Sequence, residues 1–217
     1  MSFNLYVLFD WWPQILSAFG TTVFYFIVCS IAAVLFAIFI SILLAMRIRG
    51  LTTILRIYIT VFRNTPLLVQ LFLLFYGLPF IGISLPAFLC ALIGIMLNEG
   101  AFISEIIRGY IESVPKGDWE AGESLALSRF QVIRYAVLPQ ALRDAVPAMT
   151  GQISIVIKDT SLFSMIMISE LTRVSNSIYA RTFDTTGFLI SAICYLLLFL
   201  ILSVVSKQIE KRFKVKR

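Results

Sequence analysis

Three stretches of this chain run without a charged side chain: residues 11–46, 64–98 and 188–206. A helix needs about 20 mostly apolar residues to cross the hydrocarbon core of a bilayer, so each run is long enough for a crossing. The first is too long for one. Pro13 and Gly20 punctuate its start, with Trp11 and Trp12 suited to headgroup depth, which predicts an interfacial lead-in and then a span from Thr22 to Met46. The second run is interrupted by GLPFIGISLP, where Gly77, Pro79, Gly82 and Pro86 predict a turn between two helices. The earlier of these starts before Arg63, and the later continues past Glu99 to Glu112. After a polar stretch from Ser113 to Asp144, a fourth span from Ala145 to Met167 carries Lys158 and Asp159, and a fifth runs from Phe188 to Ser206. The pattern predicts an all-α membrane protein of about five transmembrane helices in a single transmembrane domain, residues 1–217.

Composition agrees: 59% of the 217 residues are hydrophobic and 14% charged, with mean hydropathy +0.93. Ordinary soluble domains carry about 25% charged residues. The net charge of +6 sets orientation rather than a nucleic-acid partner, because no basic face carries interleaved aromatics. Segments 47–63 and 108–143 and the tail KQIEKRFKVKR hold 15 of the 18 basic residues. Basic residues concentrate on cytoplasmic loops, which puts the amino terminus outside and the carboxyl terminus in the cytoplasm. No basic stretch precedes the first apolar run, so no cleaved signal peptide is expected. Histidine is absent, which removes imidazole from any metal site or proton relay. Cys29, Cys90 and Cys194 fall in predicted spans and read as packing residues.

Candidate chemistry lies in two places. The first is the fourth span. A charge at membrane depth costs about 2.5–3.5 kcal/mol on the mildest scale, so Lys158 and Asp159 need a reason to be there. Adjacent helical residues point about 100° apart, so each needs its own partner. Thr160 and Ser161 follow, and their hydroxyls can satisfy backbone groups freed by a local break. On the third span Asn98 and Glu99 lie at comparable depth. These residues suit a zwitterion, with Asp159 or Glu99 for an ammonium group and Lys158 or backbone N–H groups for a carboxylate. The alternative is that Lys158 pairs with Glu99 or a neighbour only to neutralise buried charge. Arg63 is expected to snorkel to the cytoplasmic interface, Pro66 to kink or start a helix, and Glu105 and Arg108 to pair. Arg173 and Arg181 fall in an outer loop with Glu170 and Asp184, where solvated charges are expected, with contact to an extracytoplasmic partner as the alternative.

The second place is the loop over residues 113–139. Asp118 reads as an N-cap with Glu120 in the first turn of a short helix. Ser128 and Gln131 form a capping box for a second, joined to the first near Ala126 and Leu127. Pro139 is expected to end or kink that helix. Trp119, Ala121 and Leu125 make an apolar patch, either a docking surface or packing beneath the bundle.

EAGESLALSRFQVIRYAVLPQALRDAVP resembles the EAA loop of ABC importer permeases. FRNTPLLVQLFLLFYGLP (62–79), NEGAFISEIIRGYIESVPKG (98–117) and IKDTSLFSMIMISEL (157–171) narrow the resemblance to permeases for polar amino acids of the histidine, glutamine and arginine type. It covers nearly all of residues 20–206. It implies the type I ABC importer permease fold in a bacterial cytoplasmic membrane. The implied partners are two ATP-binding subunits, a second permease subunit and an extracytoplasmic substrate-binding protein. Trp119, Glu120, Ala121 and Leu125 fall in the coupling helix that docks on the ATPase. Asn98, Glu99, Lys158, Asp159, Thr160 and Ser161 fall where the family holds its substrate. No phosphate-binding G-x-x-x-x-G-K-[ST] occurs, so no cofactor is expected in this chain, and ATP and Mg belong to the partner. The family usually has glycine where this chain has Ala126; a positive φ there costs alanine about 1 kcal/mol. A secondary transporter or channel using Lys158, Asp159 and Glu99 for ion coupling is the rival reading. An enzyme is not expected, for want of a nucleophile–base pair or metal cluster.

Overall fold

The computed structural model describes residues 5–213, so residues 1–4, where the signal-peptide expectation begins, and Lys214, Lys216 and Arg217 of the basic tail lie outside it. The described residues form helices joined by short turns. They are α1 (Leu5–Ala45), α2 (Leu51–Asn64), α3 (Leu67–Phe72), α4 (Ala87–Ser113), α5 (Lys116–Ser124), α6 (Arg129–Val132), α7 (Leu138–Asp159), α8 (Leu171–Thr182) and α9 (Thr186–Phe213). A π turn at Leu73–Gly77 and a 3₁₀ turn at Leu78–Ile81 continue α3, and a π turn at Ile133–Val137 joins α6 to α7. A 3₁₀ segment, Thr160–Ile166, extends α7.

Phe9–Ala45, Ala87–Ser113 and Thr186–Ile209 are each long and apolar enough to cross a membrane. Two bent pairs, Leu51–Asn64 with Leu67–Ile81 and Arg129–Ile166 with Leu171–Thr182, bring the number to five if each counts as one span. The expected lead-in before Thr22 is absent: α1 runs unbroken through Pro13 and Gly20. The proline ring removes only the bond to the carbonyl four residues back, and the apolar pattern on either side carries the helix on. Pro66 breaks the next helix, and α2 ends at Asn64.

By contacts the chain divides into two units. The first comprises Met1–Ile31, Leu67–Ile95 and Ser154–Val204. Its core packs Ile15 and Ala18 of α1 with Leu171 and Ile178 of α8 and Ile190 of α9. Tyr25 meets Phe163 with ring centroids 5.4 Å apart. The second comprises Ala32–Pro66, Met96–Ile153 and Val205–Arg217. Here Ile40 and Leu44 of α1 meet Leu55 and Ile59 of α2 and Ala101 of α4. Gly100 permits this approach, because a Cβ there would lie 2.8 Å from Phe36 Cδ1. Cys29 and Cys90 are buried and Cys194 half-buried, as packing residues would be. α9 exposes Leu196, Leu200, Ile201 and Val204, a face suited to lipid or another chain rather than water.

Candidate functional site

In the second unit Asn98 and Glu99 sit on α4, 5% and 2% exposed. Asn98 Nδ2 donates to the Phe62 carbonyl at 2.9 Å. In an unbroken helix that carbonyl would take the N–H four residues on, but position 66 is proline and has none. Asn98 thus supplies the donor that the break in α2 removes. Glu99 Oε2 accepts from Gln152 Nε2 of α7 at 2.9 Å. Gln152 is not among the residues that the sequence pattern singles out. Its signal was there, a long amide in a predicted span six residues before Lys158. Arg63 is exposed, with its guanidinium 5.1 Å from the Phe102 ring centroid. Arg108 pairs with Glu105 as expected and also holds Glu112 at 2.6 Å.

In the first unit α7 ends at Asp159 and the chain tightens into the 3₁₀ segment. Hydroxyls stitch the change. Thr160 Oγ1 donates to the Ile157 carbonyl at 2.6 Å, Ser161 Oγ to Lys158 at 2.7 Å and Ser164 Oγ to Ser161 at 2.8 Å. The helix tightens here without breaking: it continues to Ile166 and bends by 48° only before Leu171, so the break expected beside Thr160 and Ser161 lies further along the chain. Thr160 is fully buried, Asp159 and Ser161 half-buried and Lys158 exposed. The Lys158 ammonium lies 5.0 Å from the Phe199 ring centroid, a cation–π partner on α9.

The outer segment departs from expectation. It folds into α8, and Glu170 is no solvated loop charge but wholly buried. As the N-cap of α8 it accepts from the N–H groups of Thr172 and Arg173, both at 2.8 Å, and from the Tyr195 hydroxyl. Arg173 donates to the Ser164 carbonyl at 3.1 Å, and Arg181 lies 5.3 Å from the Trp11 ring centroid. Asp184 accepts from Thr186 Oγ1 at 2.6 Å and Thr186 N at 2.8 Å, which holds its carboxyl below the usual range.

The loop of the second unit is a pair of short helices. α5 begins at Lys116 with Pro115 as N-cap, so Asp118 is in the first turn rather than at the cap, and Glu120 falls in the second turn. The Pro115 ring fixes φ, here −53°, and with ψ 140° the residue takes a non-helical cap geometry, so the helix starts earlier than Asp118 would start it. The capping box of α6 is complete: Ser128 N donates to Gln131 Oε1 at 2.8 Å and Gln131 N to Ser128 Oγ at 3.4 Å. At the joint Ala126 has φ 55°, the left-handed region. Pro139 neither ends nor breaks the following helix. The chain stays helical from α6 through the π turn at Ile133–Val137 into α7, and that wider turn, directly before Pro139, is where the ladder adjusts to the missing N–H.

The apolar patch of α5 splits by direction. Trp119 is half-buried, its ring under the Arg129 guanidinium at 5.3 Å, while Arg129 Nε donates to the Ala45 carbonyl at 3.0 Å. Gly122 is buried against Val132, where a Cβ would approach to 2.7 Å. Glu120 and Ala121 are exposed and Leu125 is 75% exposed. A cavity of about 540 Å³ lies between α5 and the ends of α1 and α4, with Arg47, Arg56, Arg108, Lys116 and Arg129 in its wall.

Comparison with known proteins gives concordant matches. Residues 37–215 match the family described as binding-protein-dependent transport system inner membrane component. The probable amino-acid ABC transporter permease protein YckA of Bacillus subtilis is 36% identical over 97% of this chain and 94% of its own length. The glutamine transport system permease protein GlnP of Escherichia coli K12 is 41% identical over 73% of this chain and 74% of its own. The L-cystine permease TcyB of Bacillus subtilis is 37% identical over 94% and 88%. Among solved structures, an amino acid ABC transporter superposes with TM-score 0.87 at 29% identity, covering 98% of this chain and 100% of that one. The inward-facing MetNI methionine ABC transporter shares the fold, at TM-score 0.79 and 15% identity over 95% and 99%.

Proposed function

Because this chain belongs to the family of binding-protein-dependent transport system inner membrane components, we propose that it is the permease subunit of an ATP-driven importer carrying a polar amino acid into a bacterial cytoplasm. It works beside a second permease subunit of the same or similar sequence, since one bundle of about five spans does not readily enclose a gated path. An extracytoplasmic binding protein delivers the substrate. Two ATP-binding subunits, which carry ATP and Mg, drive the cycle. The amino terminus lies outside and the carboxyl terminus in the cytoplasm, following the distribution of basic residues.

The carrying observation is the outward face of α5. Ala121 of α5 and the 75%-exposed Leu125 at its C-cap project from a helix fixed on its other side by Gly122 and Trp119. An exposed leucine on a firmly seated helix is what a docking surface for the ATPase requires. Glu120 lies beside it, and closure of the ATPase dimer reaches the spans through α5. In the assembled transporter, Glu120→Arg loses the ATPase subunit in co-purification and loses ATP-driven uptake in proteoliposomes. Retention of both would place the contact elsewhere. Uptake by this chain alone in ATP-free liposomes would instead favour ion-coupled secondary transport.

Each unit offers its own candidates for substrate contact: Asn98 and Glu99 in one, and Lys158, Asp159, Thr160 and Ser161 in the other. Two acidic groups against one lysine lean toward a basic amino acid such as arginine or lysine. Thermal stabilisation of the solubilised complex across a panel of amino acids tests that preference.

A further inference from the structure

We infer that the cavity under α5 holds the phosphate headgroup of an anionic membrane lipid. The inference requires only that α1 and α4 span a bilayer, and does not depend on the substrate or the ATPase. The wall takes residues 41–47 from the end of α1 and residues 108–114 from the end of α4, where both apolar helices run out. That is the depth of lipid headgroups.

Five cations line the wall against the three carboxylates of Glu112, Glu120 and Glu123. Arg108 is committed to Glu105 and Glu112, and Arg129 is held by the Ala45 carbonyl and the Trp119 ring. Among the described residues, Arg47, Arg56 and Lys116 enter no ion pair. Three cations around a roomy hollow, two of them arginines, suit a phosphate, which accepts several N–H donors at once.

The backbone at Arg47 supplies a clean test. Arg47 follows the end of α1 in the left-handed region, at φ 53°. Glycine is the usual residue at such a helix end, and an L side chain there costs about 1 kcal/mol. Ala126, Met167 and Phe183 take the same region at their own helix ends, so the strain itself assigns no ligand; it makes Arg47→Gly a change the backbone accepts. Lipid is favoured over a free phosphate by the neighbours of these cations. Ile48 beside Arg47 and Ile57 next to Arg56 are exposed by 47% and 59%, and offer acyl chains apolar surface next to these cations.

The test uses the full chain, purified in detergent, stripped of lipid and examined by native mass spectrometry. Dioleoylphosphatidylglycerol, dioleoylphosphatidylcholine, inorganic phosphate and glycerol phosphate are added in separate arms. The expected result is selective retention of phosphatidylglycerol, falling about fivefold with each of Arg47→Gly, Arg56→Gln and Lys116→Gln. Arg47→Gly relieves backbone strain and so keeps the fold, shown by a melting temperature no lower than the original. Arg56→Gln, at an exposed position, serves as a second probe. Equal retention of phosphatidylcholine, or unchanged retention in all three variants, overturns the site. Displacement of the lipid by inorganic phosphate or glycerol phosphate at equal concentration overturns the lipid as occupant.

Discussion

Glu99 and Glu170 are carboxylates with almost no exposed surface, one in each unit, held in different ways. Glu170 answers to its own segment: two backbone N–H groups within three residues and one tyrosine hydroxyl. It caps a helix, and its burial follows from that task. Glu99 sits in mid-helix, where no backbone N–H is unclaimed. It is met by the side-chain amide of Gln152, 53 residues away. A buried acid in a membrane helix is therefore not by itself the mark of a transport site. The origin of its donors separates a structural carboxylate from a candidate functional one.

The contrast can be broken by substitution. Glu170→Ala leaves two N–H groups and the Tyr195 hydroxyl without that acceptor, at about 1–3 kcal/mol each. A loss of at least about 3 kcal/mol is expected, read as a collapse in melting temperature of the solubilised chain; an unaltered melt would remove the cap from the account. Glu99→Gln keeps an acceptor oxygen for Gln152 but removes the charge. It should melt close to the original while uptake and substrate-stimulated ATPase fall about tenfold, equivalent to about 1.4 kcal/mol. Normal uptake would make Glu99 a structural acid like Glu170. The smallest effect carries the opposite sign. Ala126→Gly at φ 55° relieves about 1 kcal/mol of backbone strain, so the assembled complex should melt slightly higher. A lower melt would mean that the alanine methyl makes a contact worth more than the strain.

What could be read from residue order is what depends on short spacing. The uncharged runs announced the helices, because burying backbone in lipid leaves few other choices. Ser128 and Gln131, three apart, specified the capping box, and Glu105 and Arg108, three apart, specified an ion pair. The Thr-Ser pair after Asp159 announced the tightened turn. Where local signals compete, tertiary context decides: Pro115 takes the cap expected of Asp118, and α1 runs through Pro13.

The tertiary structure alone chose partners across long separations. Asn98 repairs the Phe62 carbonyl 36 residues back, and Tyr195 reaches Glu170 from 25 residues on, turning an apparent loop charge into a core acid. Arg47 and Arg129 share one hollow because the ends of α1 and α6 meet there. The residue order limits which groups need partners, since unpaired polar atoms are costly away from water. Which partner each finds depends on which helix faces pack together, and that is settled only when the whole chain has folded.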